Sequence, residues 1–433
     1  MTNSIDKKLQ NKIIYQVFVR NYKEGTFRAV EKDLPRIKAL GADIIYVMPF
    51  QIVGMKNRKG SLGSPYAVWD NRSVDPSQGT MEDFVHLADA VHNIGMQIIV
   101  DIVFNHTSPD SRLVSDHYDW FCHKPDGSLG NKIGDWKDVA DLDYSGRALW
   151  NYQIDTLIMW AKYADGFRCD AAFLVPIEIW LAARKSVEKV RPNCLWIAES
   201  AGSDFVAECK KNGIAASDEN ELYRAFDSCY DYDGYGCEIG VLKGEVSLEH
   251  YLHLINMQDG KYSENYCRLR YLENHDQPRI AEIISDIHLI CNWTAWLYFM
   301  KGAVLLYAGQ EFCNDHRPSL YDKDPVCFNT GKDISNLMAK LAGIKKLRIF
   351  SIGDFEVKAI GFDKNVIFAK YSACTEEPAE KHYAAGIFST AVRPQELTVD
   401  IPDGFYINEI NGEKISVING IMSLKADPVI VVY

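Results

Sequence analysis

Although the sequence contains eleven cysteines, it lacks a C-x-x-C pair, and the cysteines are scattered from Cys122 to Cys374. That spacing argues against a zinc site or a disulfide framework and favours thiols kept in a reducing compartment. The segment Met1–Lys12 also lacks the apolar stretch of a secretory signal. We therefore expect a cytoplasmic protein.

Positive charge is in short supply, since 47 lysines and arginines face 59 aspartates and glutamates, a net charge of −12. A chain with this balance repels nucleic acid and anionic membranes, so neither is an expected partner. A long hydrophobic run is also missing, because the longest, Trp293–Gly309, is interrupted by Lys301 and Gly302. We expect a buried helix followed by a buried strand there, not a membrane span.

What the sequence does contain is a repeated alternation of strand-like and helix-like segments. Amphipathic segments such as Thr80–Ile94 and Ser145–Tyr163 separate runs rich in Val, Ile and Tyr. Apolar strands that alternate with helices predict a parallel sheet, and eight such units predict an α/β fold, the (β/α)₈ barrel. The predicted strands are Ile13–Arg20, Asp43–Phe50, Gln97–His106, Asp165–Ala172, Leu195–Ser200, Ala225–Asp231, Arg268–Asp276 and Ala303–Glu311.

Two connections are too long for simple loops between a strand and a helix. Gln51–Gly79 is rich in Gly, Ser and Pro, and Thr107–Tyr144 is polar and long enough for a small inserted subdomain. Both follow the carboxyl ends of predicted strands, which is the face where barrel active sites are built.

The pattern changes near Phe350 to alternating strands with Asn-Gly turns at Asn411-Gly412 and Asn419-Gly420, which are hairpin signals. We therefore predict a separate all-β domain at the C-terminus, with the form of a β-sandwich. The predicted units are a barrel over 1–106 and 145–349, an inserted subdomain over 107–144, and a C-terminal domain over 350–433.

Polar and charged side chains collect where four of the predicted strands end. A single acidic residue at a strand end is more often a cap or a loop residue than a catalytic group. Four clusters on one barrel favour a shared site, because the barrel points them at one mouth. The clusters are Asp101 to His106, Gly166 to Asp170, Ile197 to Glu199, and Glu273 to Asp276.

The spacing of these residues indicates acid–base and nucleophilic chemistry. Side chains alternate along a strand, so Arg168 and Asp170 project to the same side, and the guanidinium would keep the carboxylate ionised as a nucleophile requires. Glu199 follows an apolar run and would share its site with two carboxylates, which would hold it protonated as a general acid. A nucleophilic carboxylate facing a protonated one is typical of retaining glycosidases.

The ordered set of motifs resembles the α-amylase family, glycoside hydrolase family 13. The matching segments run from about Ile13 into the C-terminal domain and cover nearly the whole chain. They are Asp101-x-x-x-Asn105-His106, Gly166-Phe167-Arg168-x-Asp170, Glu199, Asn274-His275-Asp276, Gly63-Ser64-Pro65-Tyr66, Asp141-Leu142-Asp143 and Gly309-Gln310-Glu311.

The resemblance implies a role for each matching residue. Asp170 would be the nucleophile, Glu199 the general acid and base, and Asp276 would bind the 2- and 3-hydroxyls of the distorted sugar. Arg168 would position Asp170. The residues expected to contact the sugar are Tyr66, by stacking, and His106 and His275, by hydrogen bonds. Asp101 matches a structural residue of the family.

One departure from the family pattern concerns the segment after the nucleophile. Many α-amylases continue with Ala-x-Lys-His, whereas this chain has Ala171-Ala172-Phe173-Leu174. The missing Lys would contact sugar on the leaving-group side, and the missing His would give a backbone carbonyl to calcium. Asn105 and Asp141 match calcium ligands of the family, so the resemblance leaves calcium possible as a cofactor without requiring it.

The leading hypothesis is hydrolysis of α-1,4-glucosidic bonds in maltooligosaccharides, starch or glycogen-type glucans by double displacement. Transfer to a glucan acceptor and α-1,6-specific hydrolysis are alternatives within the family, and Gln277-Pro278-Arg279 resembles the α-1,6 enzymes whereas Ala171 does not. A non-catalytic sugar-binding relative is disfavoured because Asp170, Glu199 and Asp276 are all present. The sequence leaves the oligomeric state open.

Overall fold

Eight parallel strands close into a barrel, in which the last strand along the chain pairs with the first. The computed structural model describes residues 8–134, 136–262, 266–374 and 381–433. The predicted (β/α)₈ barrel is confirmed, with shorter strands than expected because the polar residues at their carboxyl ends turn into loops. The barrel strands are β1 Ile13–Val17, β2 Ile44–Val47, β3 Gln97–Val103, β6 Gly166–Asp170, β7 Leu195–Ala198, β8 Ser228–Tyr230, β9 Arg268–Arg270 and β10 Ala303–Tyr307.

Helix α2 shows how the connecting helices form and pack. Thr80 caps its start, with the reciprocal bonds between Thr80 and Asp83 of a capping box. Phe84, Leu87 and Val91 recur at helical spacing and are buried, each worth roughly 1.5–3 kcal/mol of transfer free energy. The helices are α1 Phe27–Ala39, α2 Met81–Asn93, α3 Arg112–Asp116, α4 Arg147–Trp160, α5 Ile177–Val187, α6 Ser203–Lys211, α7 Glu219–Leu222, α8 Tyr232–Leu242, α9 Leu248–Lys261, α10 Ile280–Ile283, α11 Ile287–Phe299, α12 Ser335–Lys345 and α13 Ile349–Ile352.

Side chains of each barrel strand alternate between two cores. Ile99 of β3 belongs to the cluster inside the barrel, whereas Val100 packs with the cluster between strands and helices. In β6, Phe167 and Cys169 face outward in the same way. Because the side-chain period of a strand is two, Arg168 between them faces inward. This alternation decides which polar residues reach the barrel mouth.

A small antiparallel sheet follows β3, where the inserted subdomain was predicted. Strand β4 (His106–Thr107) pairs with β5 (Ala140–Asp141), and His106 lies opposite Asp141. The segment between them carries α3 and a short 3-10 turn, Tyr118–Trp120. The limits of 107–144 as a unit stay a prediction, since β4 begins one residue earlier.

The C-terminal part is all β and consists of two four-stranded antiparallel sheets, ordered β11-β12-β13-β18 and β14-β17-β16-β15. A separate apolar cluster that includes Val366, Leu397 and Val431 fills the space between the sheets. The strands are β11 Asp354–Ile360, β12 Val366–Cys374, β13 Lys381–Ser389, β14 Gln395–Thr398, β15 Gly404–Ile407, β16 Lys414–Ile418, β17 Ile421–Leu424 and β18 Val429–Val432.

Both predicted Asn-Gly turns connect neighbouring strands. Asn419 and Gly420 have φ of 53° and 71° and join β16 to β17 directly, as a two-residue turn requires. The other pair lies in a longer turn, because β15 and β16 separate at Ile407 and Lys414.

The apolar run near residue 300 forms a buried helix, α11, followed by the buried strand β10, as predicted. Within the described residues, no helix has the length and apolarity needed to cross a membrane.

Candidate active site

The inward-facing residues of β3, β6 and β7 bring four charged side chains to the carboxyl end of the barrel. Asp101 and Arg168 lie opposite each other in the β3–β6 register, and Asp170 ends β6. Glu199 directly follows β7 and continues the inward series after Leu195 and Ile197. Two-residue spacing along parallel strands therefore assembles the cluster.

One guanidinium contacts three carboxylates. Arg168 Nη1 donates to Asp101 Oδ1 at 2.8 Å and to Asp170 Oδ1 at 3.0 Å, and Nη2 lies 2.9 Å from Glu199 Oε1. Arg168 and Asp101 are fully buried. Because the two nitrogens of one planar guanidinium contact Asp170 Oδ1 and Glu199 Oε1, these two oxygens are no more than roughly 8 Å apart. The separation of about 5–5.5 Å typical of a retaining pair stays a prediction.

The residue after Asp170 holds Glu199 through its backbone. Ala171 has φ of 42°, a left-handed conformation that costs energy for a residue with a side chain. In this conformation its amide donates to Glu199 Oε2 at 2.8 Å. Tyr232 Oη donates to the other oxygen, Oε1, at 3.0 Å. The strained backbone of Ala171 therefore lies where its amide orients the carboxylate of Glu199.

The protonation of Asp170 differs from the expectation that Arg168 keeps it ionised. Burial raises the pKa of Asp170 well above its ordinary value, and the negative charge of Glu199 raises it further. Arg168 opposes both effects, but its charge is divided among three carboxylates. In the free protein the protonated form of Asp170 is therefore favoured relative to an isolated carboxyl group.

Asp276 also lines the mouth of the barrel, and its neighbour His275 contacts it. His275 Nε2 lies 3.0 Å from Asp276 Oδ2. Burial disfavours the ionised carboxyl, but His275 and the more distant Arg168 outweigh burial and lower the pKa of Asp276 to about 2. Asp276 is therefore a stable anion, suited to accepting hydrogen bonds from hydroxyl groups.

His275 lies behind the cavity surface. It is 1% exposed, and its ring stacks on Tyr66, whose Oη is 2.6 Å from Nε2. Gln16 Nε2 lies 2.8 Å from the other ring nitrogen, Nδ1. Since both nitrogens already have partners, a contact between His275 and a sugar stays a prediction. Gln16 carries no motif that would have indicated this role.

His106 and Tyr66 both line the cavity. His106 Nε2 is 4.0 Å from Asp170 Oδ2, and burial lowers the pKa of His106, which favours the neutral ring. Tyr66 Oη donates to Asp101 Oδ2 at 3.1 Å, and this hydrogen bond holds the Tyr66 ring at the mouth of the barrel. The structure thus brings these two residues together with Asp170.

A cavity of about 550 Å³ contains Asp170, Glu199 and Asp276 in its wall. Its rim carries two large aromatic side chains with water contact, Trp136 (45% exposed) and Phe205 (42% exposed). Sequence reasoning missed both, and missed Tyr232 as well, because each lies on a loop or helix outside the recognised motifs. Exposed aromatic rims suit flat, neutral ligands such as sugar rings.

The departure after the nucleophile places an aromatic pair where the family pattern has a Lys. Phe173 lines the cavity and packs edge-on against Phe205, with ring centroids 6.1 Å apart. This side of the cavity is therefore apolar next to Glu199. Relative to the family pattern, Phe173 therefore puts an apolar side chain in the cavity wall in place of a charged one.

The residues that match calcium ligands lie together, but their oxygens already accept hydrogen bonds. Lys132 Nζ donates to Asn105 Oδ1 at 3.1 Å and to the Leu174 carbonyl at 3.3 Å. Asp141 accepts from the Lys132 amide at 2.7 Å and from Asn131 Nδ2 at 3.4 Å. A calcium ion takes six to eight oxygens at about 2.3–2.6 Å and would meet the like charge of Lys132. This set therefore does not fit calcium.

Comparison with known families and structures agrees with the fold. The family described as "Alpha amylase, catalytic domain" matches residues 6–346, and "Bacterial Alpha amylase C-terminal domain" matches 359–431. The crystal structure of an α-amylase from Lactobacillus plantarum is 40% identical, with a TM-score of 0.93 over 98% of this chain and 99% of that one.

More distant relatives are both hydrolases and transferases by name. A noncanonic maltogenic α-amylase from Thermotoga neapolitana is 30% identical, with a TM-score of 0.86 over 99% of each chain. An α-1,4-glucan:maltose-1-phosphate maltosyltransferase of Myxococcus xanthus is 30% identical over 212 residues, 43% of this chain. The chain spans about a third of the length of that transferase. With its catalytic-domain match over residues 6–346, its barrel and its carboxylate cluster, the chain belongs to the α-amylase family.

Proposed function

We propose that the protein hydrolyses α-1,4-glucosidic bonds in maltooligosaccharides, starch or glycogen-type glucans with retention of configuration. The observation that carries this proposal is the bridge of Arg168 between Asp170 and Glu199 in the wall of one cavity. A retaining glycosidase needs one proton on such a pair, and burial together with the charge of Glu199 raises the pKa of Asp170.

In the first step, a carboxylate oxygen of Asp170 attacks the anomeric carbon while Glu199 gives its proton to the glycosidic oxygen. The bond from carbon to the leaving sugar breaks as the ester to Asp170 forms. Asp276, an anion in the free protein, accepts hydrogen bonds from sugar hydroxyls and stabilises the positive charge that develops on the ring.

In the second step, Glu199 takes a proton from water, whose oxygen attacks the anomeric carbon and releases Asp170 as a carboxylate. The contacts from Ala171 and Tyr232 keep Glu199 oriented for both transfers. Arg168 positions the two carboxylates from behind, because it is buried and does not line the cavity. Two inversions at one carbon give net retention.

Hydrolysis is favoured over transfer by the extent of the similarity. The α-amylases that resemble this chain align with it over nearly its full length, whereas the maltosyltransferase match covers less than half of it. A glycosyl-enzyme on Asp170 can nevertheless react with a sugar in place of water, so the two activities differ only in the acceptor.

The test is product chromatography over time with end-labelled maltooligosaccharides, starch and isomaltose, and NMR of the first product anomer. We expect shorter maltooligosaccharides, released as the α-anomer, and little action on isomaltose. Early products longer than the substrate would show a transferase, and preferred cleavage of isomaltose would show an α-1,6-specific enzyme. Either result, or a β-anomer, would overturn the proposal.

A further inference from the structure

Oxygen atoms from three parts of the chain converge beside the active site. Asn105 follows β3, Leu174 follows the nucleophile strand β6, and Asp141 lies in β5 of the inserted sheet. Asn105 and Asp141 are fully buried. Buried carbonyl and carboxylate oxygens need donors or a cation, because an unsatisfied one costs free energy.

A side chain of the inserted segment supplies that cation. Lys132 Nζ donates to Asn105 Oδ1 and to the Leu174 carbonyl, and it lies 5.6 Å from the centre of the Tyr144 ring. The backbone amide of the same residue donates to Asp141. One residue therefore contacts all three parts of the chain.

We propose that the ammonium group of Lys132 serves here in place of a metal ion, so that the protein folds and acts without calcium. An ammonium group has three donors and one positive charge, which matches two neutral oxygens with a nearby carboxylate. Because the cation is covalently attached, its contacts do not depend on the concentration of a free ion.

Lys132 is also a positioning residue for the cavity. Asn105 Nδ2 lies 3.2 Å from His106 Nδ1, so the lysine fixes His106 through Asn105. Leu174 and the neighbouring Phe173 line the cavity, as do Trp136 and Asp138 on the segment beyond Lys132. Loss of the lysine should therefore loosen the sugar-binding walls more than the carboxylate pair.

The first experiment uses the unmodified full chain. After exhaustive treatment with a chelator, we measure its melting temperature Tm, its kcat/KM on a maltooligosaccharide and its calcium content by mass spectrometry, with and without added calcium. We expect calcium far below one ion per chain, and Tm and kcat/KM unchanged by either treatment. One bound calcium per chain, or a Tm that falls with chelator and returns with calcium, would overturn the proposal. Tm and calcium content remain informative whichever glucan the enzyme uses.

The second experiment removes the charge by Lys132→Met and keeps a hydrogen-bond donor by Lys132→Gln, with exposed Lys137→Met as the matched control from the same segment. We expect Lys132→Met to lower Tm by about 4–10 °C, with Lys132→Gln intermediate and the control unchanged. Well below Tm, Lys132→Met should lose about tenfold in kcat/KM, chiefly through a higher KM. Wild-type values of both Tm and KM for Lys132→Met would refute the role.

Discussion

Two of the buried charge clusters in the described part of the barrel differ in the balance of their charges. At the mouth, Arg168 alone faces Asp101, Asp170 and Glu199. Between the barrel and its helices, two arginines face two acids: Arg268 contacts Asp231 and Glu219 at 2.6 Å each, and Arg270 also bonds to Asp231, which accepts a further bond from Gln258.

The balance sets the protonation of each cluster. Burial acts against ionised Asp231, but Arg268 and Arg270 outweigh burial and lower its pKa far below the ordinary value. Burial also acts against ionised Asp170, and there one shared guanidinium cannot outweigh burial and Glu199, so the pKa rises. A buried cluster short of positive charge is thus a better indicator of catalysis than buried charge itself.

The largest contrast should come from neutralising the two aspartates. Asp170→Asn removes the nucleophile and should lower kcat/KM by about 10⁵-fold. It should also raise Tm by a few degrees at pH 7, because a folded-state pKa above the unfolded value makes ionisation destabilising at neutral pH. That gain should vanish at acid pH, where the wild-type carboxyl is protonated in both states. Thermal melts at both pH values check it, and a lower Tm at pH 7 would contradict the charge-shortage argument.

The two carboxylates of the mouth should also differ from each other. Glu199→Ala removes the proton donor and should lower activity on natural glucans by about 10³-fold. An activated α-glycoside should still form the β-linked intermediate on Asp170, and azide entering from the vacated side should give the α-glycosyl azide. Asp170→Ala has no intermediate to intercept and should yield none. Chromatography and NMR decide it: a β-azide from Glu199→Ala, or an α-azide from Asp170→Ala, would reverse the roles.

In the cluster of two arginines and two acids, Asp231→Asn should lower stability and leave kcat/KM unchanged. It leaves two buried arginines with Glu219 as their acid and should lower the free energy of unfolding by about 3–5 kcal/mol at pH 7. Since the folded-state pKa of Asp231 is lowered, its contribution exists above the unfolded value near 3.9 and is lost as pH falls. Denaturant unfolding at several pH values measures this, with kcat/KM at low temperature as the control. A loss of kcat/KM without a loss of stability would contradict the comparison.

The barrel and the charged core of the mouth could be predicted because both follow from local rules. Strand periodicity alone places Arg168 and Asp170 on one side, and eight strand-helix units require closure. Lys132, Gln16 and Tyr232 could not be predicted, since their partners lie 27, 259 and 33 residues away and depend on how loops and helices pack. The sequence also did not predict the raised pKa of Asp170, because that requires knowing that Arg168 contacts three carboxylates.

The smallest expected effect tests the contact between Tyr232 and Glu199. Tyr232 Oη donates to Glu199 Oε1 at 3.0 Å, while the Ala171 amide donates to the other oxygen, so the hydroxyl orients the carboxyl group without reacting itself. Tyr232→Phe removes one hydrogen bond, worth about 0.5–1.5 kcal/mol, and should lower kcat/KM on a maltooligosaccharide by about two- to tenfold. Tyr235→Phe, whose hydroxyl does not contact Glu199, is the matched control. An unchanged kcat/KM in Tyr232→Phe would mean that this hydrogen bond does not orient Glu199 for proton transfer.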